Sequence, residues 1–377
     1  MKGCISVAKK TLAVMVLTAL MLFTASCTKE EKEAGFKETD TKVDIVEEIP
    51  DTPPEVYVPE PEPEPEIITY INPLTGTEIE KDLTSKRPIT MMINNIHTAL
   101  PQVGISEADI IYETLEEGGI TRLLCVYNDY SDIPEIGSVR SARDYYIDIA
   151  DAHDAIFVHA GGSTYAYAAL PARQTNNIDG IFMSQFYRSA ERLKTMSSEH
   201  TLMISGKGID EAIAQKGYRT TTDKPCPLSF GWNYSKGPML ANHIEFPFSI
   251  GRNSNPYITA FFDYDEESGK YFKGQYNAPH IAGADITQLS FKNVITLTCP
   301  LNLIAGDELG CIQVHFTGTG YGTYSVDGTH REIVWEKPSR NSAYTLYEAD
   351  GQTPLLLAPG KSYIAIVPTG TDITINE

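Results

Sequence analysis

The stretch Asp154–Leu170, DAIFVHAGGSTYAYAAL, changes texture twice in seventeen residues. Its first part, AIFVHA, is a short apolar run rich in β-formers and reads as a buried strand. Gly161-Gly162 breaks that run, and Ser163 stands where a helix N-cap is wanted. The small residues of TYAYAAL then suit a helix packed close to a sheet. Strand, glycine turn and helix in immediate succession predict an α/β layer, and the neighbouring segments agree.

Upstream, PITMMINN (88–95) and TRLLCVYND (121–129) read as strands, and SARDYYIDIADAH (141–153) places Tyr145, Ile149 and Ala152 on one helical face. ISEADIIYETLEEGG (105–119) reads as a helix, with Ser106 as its cap, Asp109 three residues on and glycine at its end. A strand over its interior DIIYE is the alternative. Downstream, SAERLKTMS (189–197) and GKGIDEAIAQKG (206–217) read as helices. Beyond residue 240 helix signals fade. Two strand runs flank an acidic glycine turn in 258–274, KNVITLTC is a strand, and Asp327-Gly328 and Asp350-Gly351 are hairpin signals. The glycines of TGTGYGTY (317–324) lie among strands and read as part of a hairpin, not as a phosphate loop. The expected organisation is an α/β domain over 72–240 followed by a mainly antiparallel β domain over 241–377.

The N-terminus has another character. Lys2, Lys9 and Lys10 precede the apolar run TLAVMVLTALMLFT and the small residues leading to Cys27. This is the layout of a secretory signal, 1–26, and the run is shorter than the ~20 residues of a membrane span. A cysteine directly after Ala25-Ser26 resembles a bacterial lipobox, which implies lipidation of Cys27 and a membrane-anchored, extracytoplasmic protein. The segment 27–71 then reads as a tether. From Thr28 to Glu66 it holds 14 acidic and 4 basic residues, so −10 of the chain's net −20, and it includes PEPEPEPE. Like charges and alternating proline favour an extended chain, reaching about 120 Å at ~3.1 Å per residue.

Without the tether the body is only moderately acidic. It has no basic run, which excludes the usual nucleic-acid footprint. Cys125, Cys226, Cys299 and Cys311 form no CxxC pair. Cys299 and Cys311 are candidates for a disulfide between neighbouring strands, with buried free thiols the simpler reading. His153, Asp154 and His159 lack the i, i+4 histidine spacing of a helical metal site. There is no GxSxG elbow, and no segment calls for a cofactor.

RPITMMINN, EGGITR, IGSVRSARDYYIDIADAHDAIFVHAGGS and the late GKSYIAIVP together resemble the YerB-like lipoproteins, a two-domain family of Gram-positive bacteria with no established activity. The resemblance covers roughly residues 72–370. It implies a lipid-anchored protein with an α/β and a β-rich domain, and implies no reaction. Where the family carries an Arg after Tyr-x and an Asp after Pro-His, this chain has Lys273 and Ile281.

The candidate site is an anion site built from Arg122, Arg140, Arg143, His159, Gly161, Gly162 and Ser163. Arginine forks match phosphate and carboxylate, and a glycine turn opening a helix offers backbone N–H groups. Tyr145, Tyr146, Tyr165 and Tyr167 surround it in sequence. The competing reading pairs Arg140 with Asp144, and Arg143 with Glu135 or Asp148, as ordinary helix-surface ion pairs. Function reads first as a non-enzymatic binding or interaction protein of the envelope, with an anionic ligand or protein partner. The alternatives are an enzyme on phosphate-linked envelope substrates, by analogy of residue types with the LytR-CpsA-Psr enzymes, and a structural assembly factor. Asp144, Asp148 and His159 are the acid–base candidates for the enzyme.

Overall fold

The structure is a computed structural model that describes residues 68–249, 258–283 and 286–377. The signal, Cys27 and most of the tether lie outside the described residues. The described residues belong to one compact unit.

The α/β half contributes strands β1 (Ile89–Asn94), β2 (Ile110–Leu115) and β3 (Thr121–Tyr127), helix α1 (Asp144–Ala152), strand β4 (Ile156–His159), helix α2 (Thr164–Arg173), strand β5 (Asn177–Asp179) and helix α3 (Gly206–Lys216). The β-rich half adds β6 (His243–Phe248), β7 (Ile258–Asp265), β8 (Lys270–Gln275), β9 (Asn293–Cys299), β10 (Gly318–Val326), β11 (Thr329–Lys337) and β12 (Ser362–Pro368). The strand–turn–helix reading of 154–170 holds: β4 ends at His159, and the Ser163 hydroxyl accepts from the Ala166 N–H at 3.1 Å to cap α2.

One mixed sheet of 11 strands crosses both halves, running β11–β10–β9–β12–β2–β3–β1–β4–β5 with short edge strands beside β11. The junction is β12, parallel to both β9 and β2. Tyr363, Ile364, Ala365, Ile366 and Val367 of this strand are buried, as a strand covered on both faces requires. A second, antiparallel sheet contains β6, β7 and β8.

Two helix expectations fail. The segment 105–119 is strand β2 with its flanking turns, so the interior strand reading prevails. Ile110, Ile111 and Leu115 match a helical spacing, but pairing with β12 and β3 on either side buries all six residues of β2. In 189–197 only a 3₁₀ turn, Arg192–Lys194, forms. The Arg192 guanidinium is drawn inward, donating to the carbonyls of His200 (2.9 Å), Pro101 (2.7 Å) and Ala99 (2.6 Å). Those bonds fix the loop in place of a helix. The Asp327-Gly328 hairpin is present between β10 and β11, with φ of 49° and 68°, the pair of positive values a type I′ turn needs. All four body cysteines are free thiols.

Candidate functional site

β3 and the glycine loop before it set the site. Its loop, Glu116 to Gly119, carries two carboxylates past the end of β2, and Gly118 and Gly119 take φ of 73° and 72° to turn the chain back. Arg122 lies at the start of β3. The segment before α1 brings Arg140 and Arg143 alongside: the Arg140 N–H bonds the Met92 carbonyl of β1 at 2.9 Å. The Ala142 N–H bonds the Gly161 carbonyl at 2.9 Å, and the Ser163 N–H bonds the Ala142 carbonyl at 3.2 Å. The three arginines and the glycine turn therefore meet at one end of the sheet.

The arginines do not take the helix-surface partners predicted for them. Arg122 pairs with Glu116 at 2.6 Å and donates to the Ser141 carbonyl. Arg143 forks onto Glu117, with Nε 2.8 Å from Oε1 and Nη2 2.7 Å from Oε2, and stands 3.4 Å from Glu116. Arg140 Nη1 donates to the Glu199 carbonyl at 3.0 Å, its contact with the Glu199 carboxylate at 3.5 Å is the loosest of these ion pairs, and its Nε has no partner. Asp144 and Asp148 instead bind Arg340 from the β-rich half, and Asp148 also binds Arg173. Glu135 accepts from the Tyr187 hydroxyl at 2.8 Å.

Glu116 dominates the electrostatics. It is fully buried, and burial pushes its carboxyl up to about 7 against the opposing pull of Arg122 and Arg143. With Glu116 protonated, three guanidinium groups face only Glu117 and Glu199, and the cluster carries a net positive charge. Asp148 is likewise raised by burial, to about 6, against Arg173 and Arg340.

The glycine turn is partly occupied by the protein itself. The Gly161 N–H donates to Asp179 Oδ1 at 2.9 Å, and the His159 Nδ1 lies 2.8 Å from the Gly161 carbonyl. Tyr145 and Tyr146 are core residues whose hydroxyls donate to the carbonyls of Leu115 (2.9 Å) and Arg122 (2.8 Å). Tyr165 and Tyr167 are exposed and donate to Asp307 and Asp179. His153 is buried against the Tyr112 hydroxyl at 2.7 Å, and burial pushes it down to about 3. It shares no site with Asp154, which binds Arg219 and Thr222.

Sequence reasoning missed Glu116, Glu117 and Glu199. EEGGITR stood out, but its carboxylates come near the arginines only through the sheet. It also missed a second charged group, fully buried where the halves meet. Glu113 of β2 accepts from Asn95 (2.9 Å), Thr121 (2.7 Å) and Tyr363 (2.7 Å), and lies 3.4 Å from Lys273 of β8. Lys273 also donates to Gln275 at 3.0 Å and to His280 Nδ1 at 3.1 Å. An ammonium only donates, so Nδ1 accepts and the ring proton sits on Nε2, 2.9 Å from Gln102 Oε1. Lys273 stands at the position where the family resemblance leads one to expect arginine, and it works as a cross-domain ion pair.

The fold and this site define a two-domain protein: an α/β half with a charged sheet end, and a β-rich half that completes the same sheet. Residues 74–219 match the family described as "Protein of unknown function (DUF3048) N-terminal domain", and residues 249–364 match its C-terminal domain. The chain is 28% identical over 298 residues to "Putative lipoprotein YerB" of Bacillus subtilis (strain 168), covering 78% of this chain and 86% of that protein. The crystal structure of the YerB protein from Bacillus subtilis superposes with a TM-score of 0.70 at 27% identity, over 81% of this chain and 99% of that one. The chain belongs to the YerB-like family. Among the described residues no helix is long and apolar enough to cross a membrane.

Proposed function

We propose that the protein is a lipoprotein anchored through Cys27 on the outer face of the cell membrane, and that its α/β half binds an anionic ligand at the arginine end of the sheet. The anchorage rests on the lipobox-like N-terminus and on the name of the Bacillus subtilis relative. One observation carries the ligand reading. Arg140 is 20% exposed and its Nε is unpartnered; its Nη1 donates to the Glu199 carbonyl at 3.0 Å, while the exposed Glu199 carboxylate stands off at 3.5 Å, beside Arg143 and the raised Glu116. A phosphate or carboxylate that displaces the Glu199 carboxylate gains a planar guanidinium beside a second arginine.

Arg122 and Arg143 belong to the scaffold of this site: Arg122 is buried against Glu116 and the Ser141 carbonyl, and Arg143 forks onto Glu117. A binding role is favoured over catalysis for a geometric reason. Glu116 has a pKa suited to proton transfer near neutrality, yet it has no exposed surface through which to touch a substrate. Thermal melting of the full chain with pyrophosphate tests the reading. Saturation at 100 times the dissociation constant adds about 2.7 kcal/mol, and Arg140→Ala abolishes the shift. An equal shift in that variant removes the site.

A further inference from the structure

A pocket of about 560 Å³, which shares no lining residue with the arginine cluster, lies where the N-terminal hairpin (Tyr70–Ile71 with Glu78–Ile79) meets the turn between β7 and β8. That volume is in the range of small-ligand sites. Its floor is closed by backbone contacts between the halves, the Gly360 N–H donating to the Thr75 carbonyl at 2.8 Å and the Ser362 N–H to the Asp109 carbonyl at 3.1 Å.

Three features of the wall stand out in so acidic a chain. Lys270, Lys292 and Lys361 all line it, against a single carboxylate among the described residues, Asp109. Asp109 is buried and occupied by the Asn72 side chain (2.9 Å) and the Asn128 N–H (2.7 Å). The lysines differ in availability. Lys361 donates to the Ser106 carbonyl and Lys292 to Asp327. Lys270, exposed at the start of β8, has no hydrogen-bond or ion-pair partner among the described residues. The second feature is Trp232, which lines the pocket with 74% of its surface exposed, while the chain's other tryptophan, Trp335, is 1% exposed. Third, hydroxyls of Ser106, Thr287 and Ser290 line the same wall and make no side-chain hydrogen bond among the described residues.

A bare indole face suits an apolar ring face, unpartnered hydroxyls suit a polyhydroxylated edge, and a free ammonium in a cationic wall suits an acidic group. We infer that this pocket binds an anionic sugar, its ring stacked on Trp232 and its carboxylate or phosphate held by Lys270. Trp232 leaves most of its ring in water, and Lys270, opposite Asp265 across the hairpin, makes no ion pair among the described residues.

The two tryptophans make the test direct. In the full chain, Trp335 is a buried constant and Trp232 reports the pocket. Titration with digalacturonate (carboxylate), glucose 1-phosphate (phosphate) and maltose (neutral) is followed by tryptophan emission and by calorimetry. The expected result is a blue shift with at least one acidic sugar, and which of the two binds more tightly identifies the acidic group. Maltose binds about tenfold more weakly or not at all, the size of one charge-assisted hydrogen bond. Lys270→Ala weakens the acidic sugar about tenfold and leaves maltose unchanged. Trp232→Phe abolishes the spectral response and weakens the calorimetric affinity. Arg140→Ala leaves the response intact, which separates this pocket from the arginine site. No spectral change with any of the three sugars at millimolar concentration overturns the inference. So does equal binding of maltose, or an unchanged affinity in Lys270→Ala.

Discussion

Replacing Lys273 with methionine tests what joins the two halves. The side chain is of similar volume, so the change removes an ammonium without opening a cavity. It leaves the Glu113 carboxylate buried without its counter-charge and His280 Nδ1 without its donor. Removing one member of a buried ion pair costs about 3–5 kcal/mol. Glu113 keeps three neutral donors, from Asn95, Thr121 and Tyr363. The lower end of that range, about 3 kcal/mol, is therefore expected. For a compact unit of some 310 residues, unfolding entropy of about 2.1 cal/mol/K per residue turns this into a drop of about 5 °C in Tm. Adding Glu113→Gln to the single variant removes the stranded charge and recovers most of the loss, because a buried pair as a whole contributes little net stability. Urea unfolding of the wild type, both single variants and the double variant reads the coupling. A loss below about 1 kcal/mol for Lys273→Met, or a double variant as unstable as the sum of the singles, refutes the reasoning.

Glu116 gives a pH signature. Its folded-state pKa of about 7 lies above its ordinary value near 4.5, so folding takes up a proton between those limits. Its contribution to stability is complete below pH 4.5 and falls as pH rises through 7. Other groups titrate in the same window, Asp148 in the same direction and the buried His153 and His330 in the opposite one, so the readout is a difference. In Glu116→Gln, melting curves from pH 4.5 to 7.5 lose this component, and an unchanged slope contradicts the assignment. Gly328→Ala strains the hairpin twice, through its φ of 68° and through a Cβ placed 2.8 Å from the Tyr264 ring. A loss of at least about 1–2 kcal/mol in urea unfolding is expected, and a neutral effect argues against the turn geometry.

The sequence disclosed what is local. The strand, turn and helix of 154–170 need only their own residues, and Ser163 caps α2 as its position suggests. Asp327-Gly328 announces its turn because few other dipeptides accept two positive φ values. What failed depends on distant partners. β2 is a strand because β12 lies beside it, about 250 residues later, and nothing within 105–119 records that neighbour. Arg192 ends a predicted helix by reaching carbonyls some 90 residues upstream. At the site, the three arginines were legible as a group, but spacing along the chain favoured Asp144 and Asp148 as partners. The fold supplied Glu116 and Glu117 from the loop after β2 and Glu199 from a distant 3₁₀ turn instead, and gave the aspartates to Arg340 and Arg173. Lys273 is the sharpest case. On the sequence it is one lysine in a β hairpin, and its meaning depends on Glu113 in the other half.

The measurement closest to the central claim is calorimetric titration of the full chain with pyrophosphate, comparing wild type, Arg140→Ala and Glu199→Gln. Glu199 occupies the fork that the ligand needs, so the account predicts tighter binding in Glu199→Gln and none in Arg140→Ala. Binding that is indifferent to both substitutions, or absent from all three proteins, contradicts it.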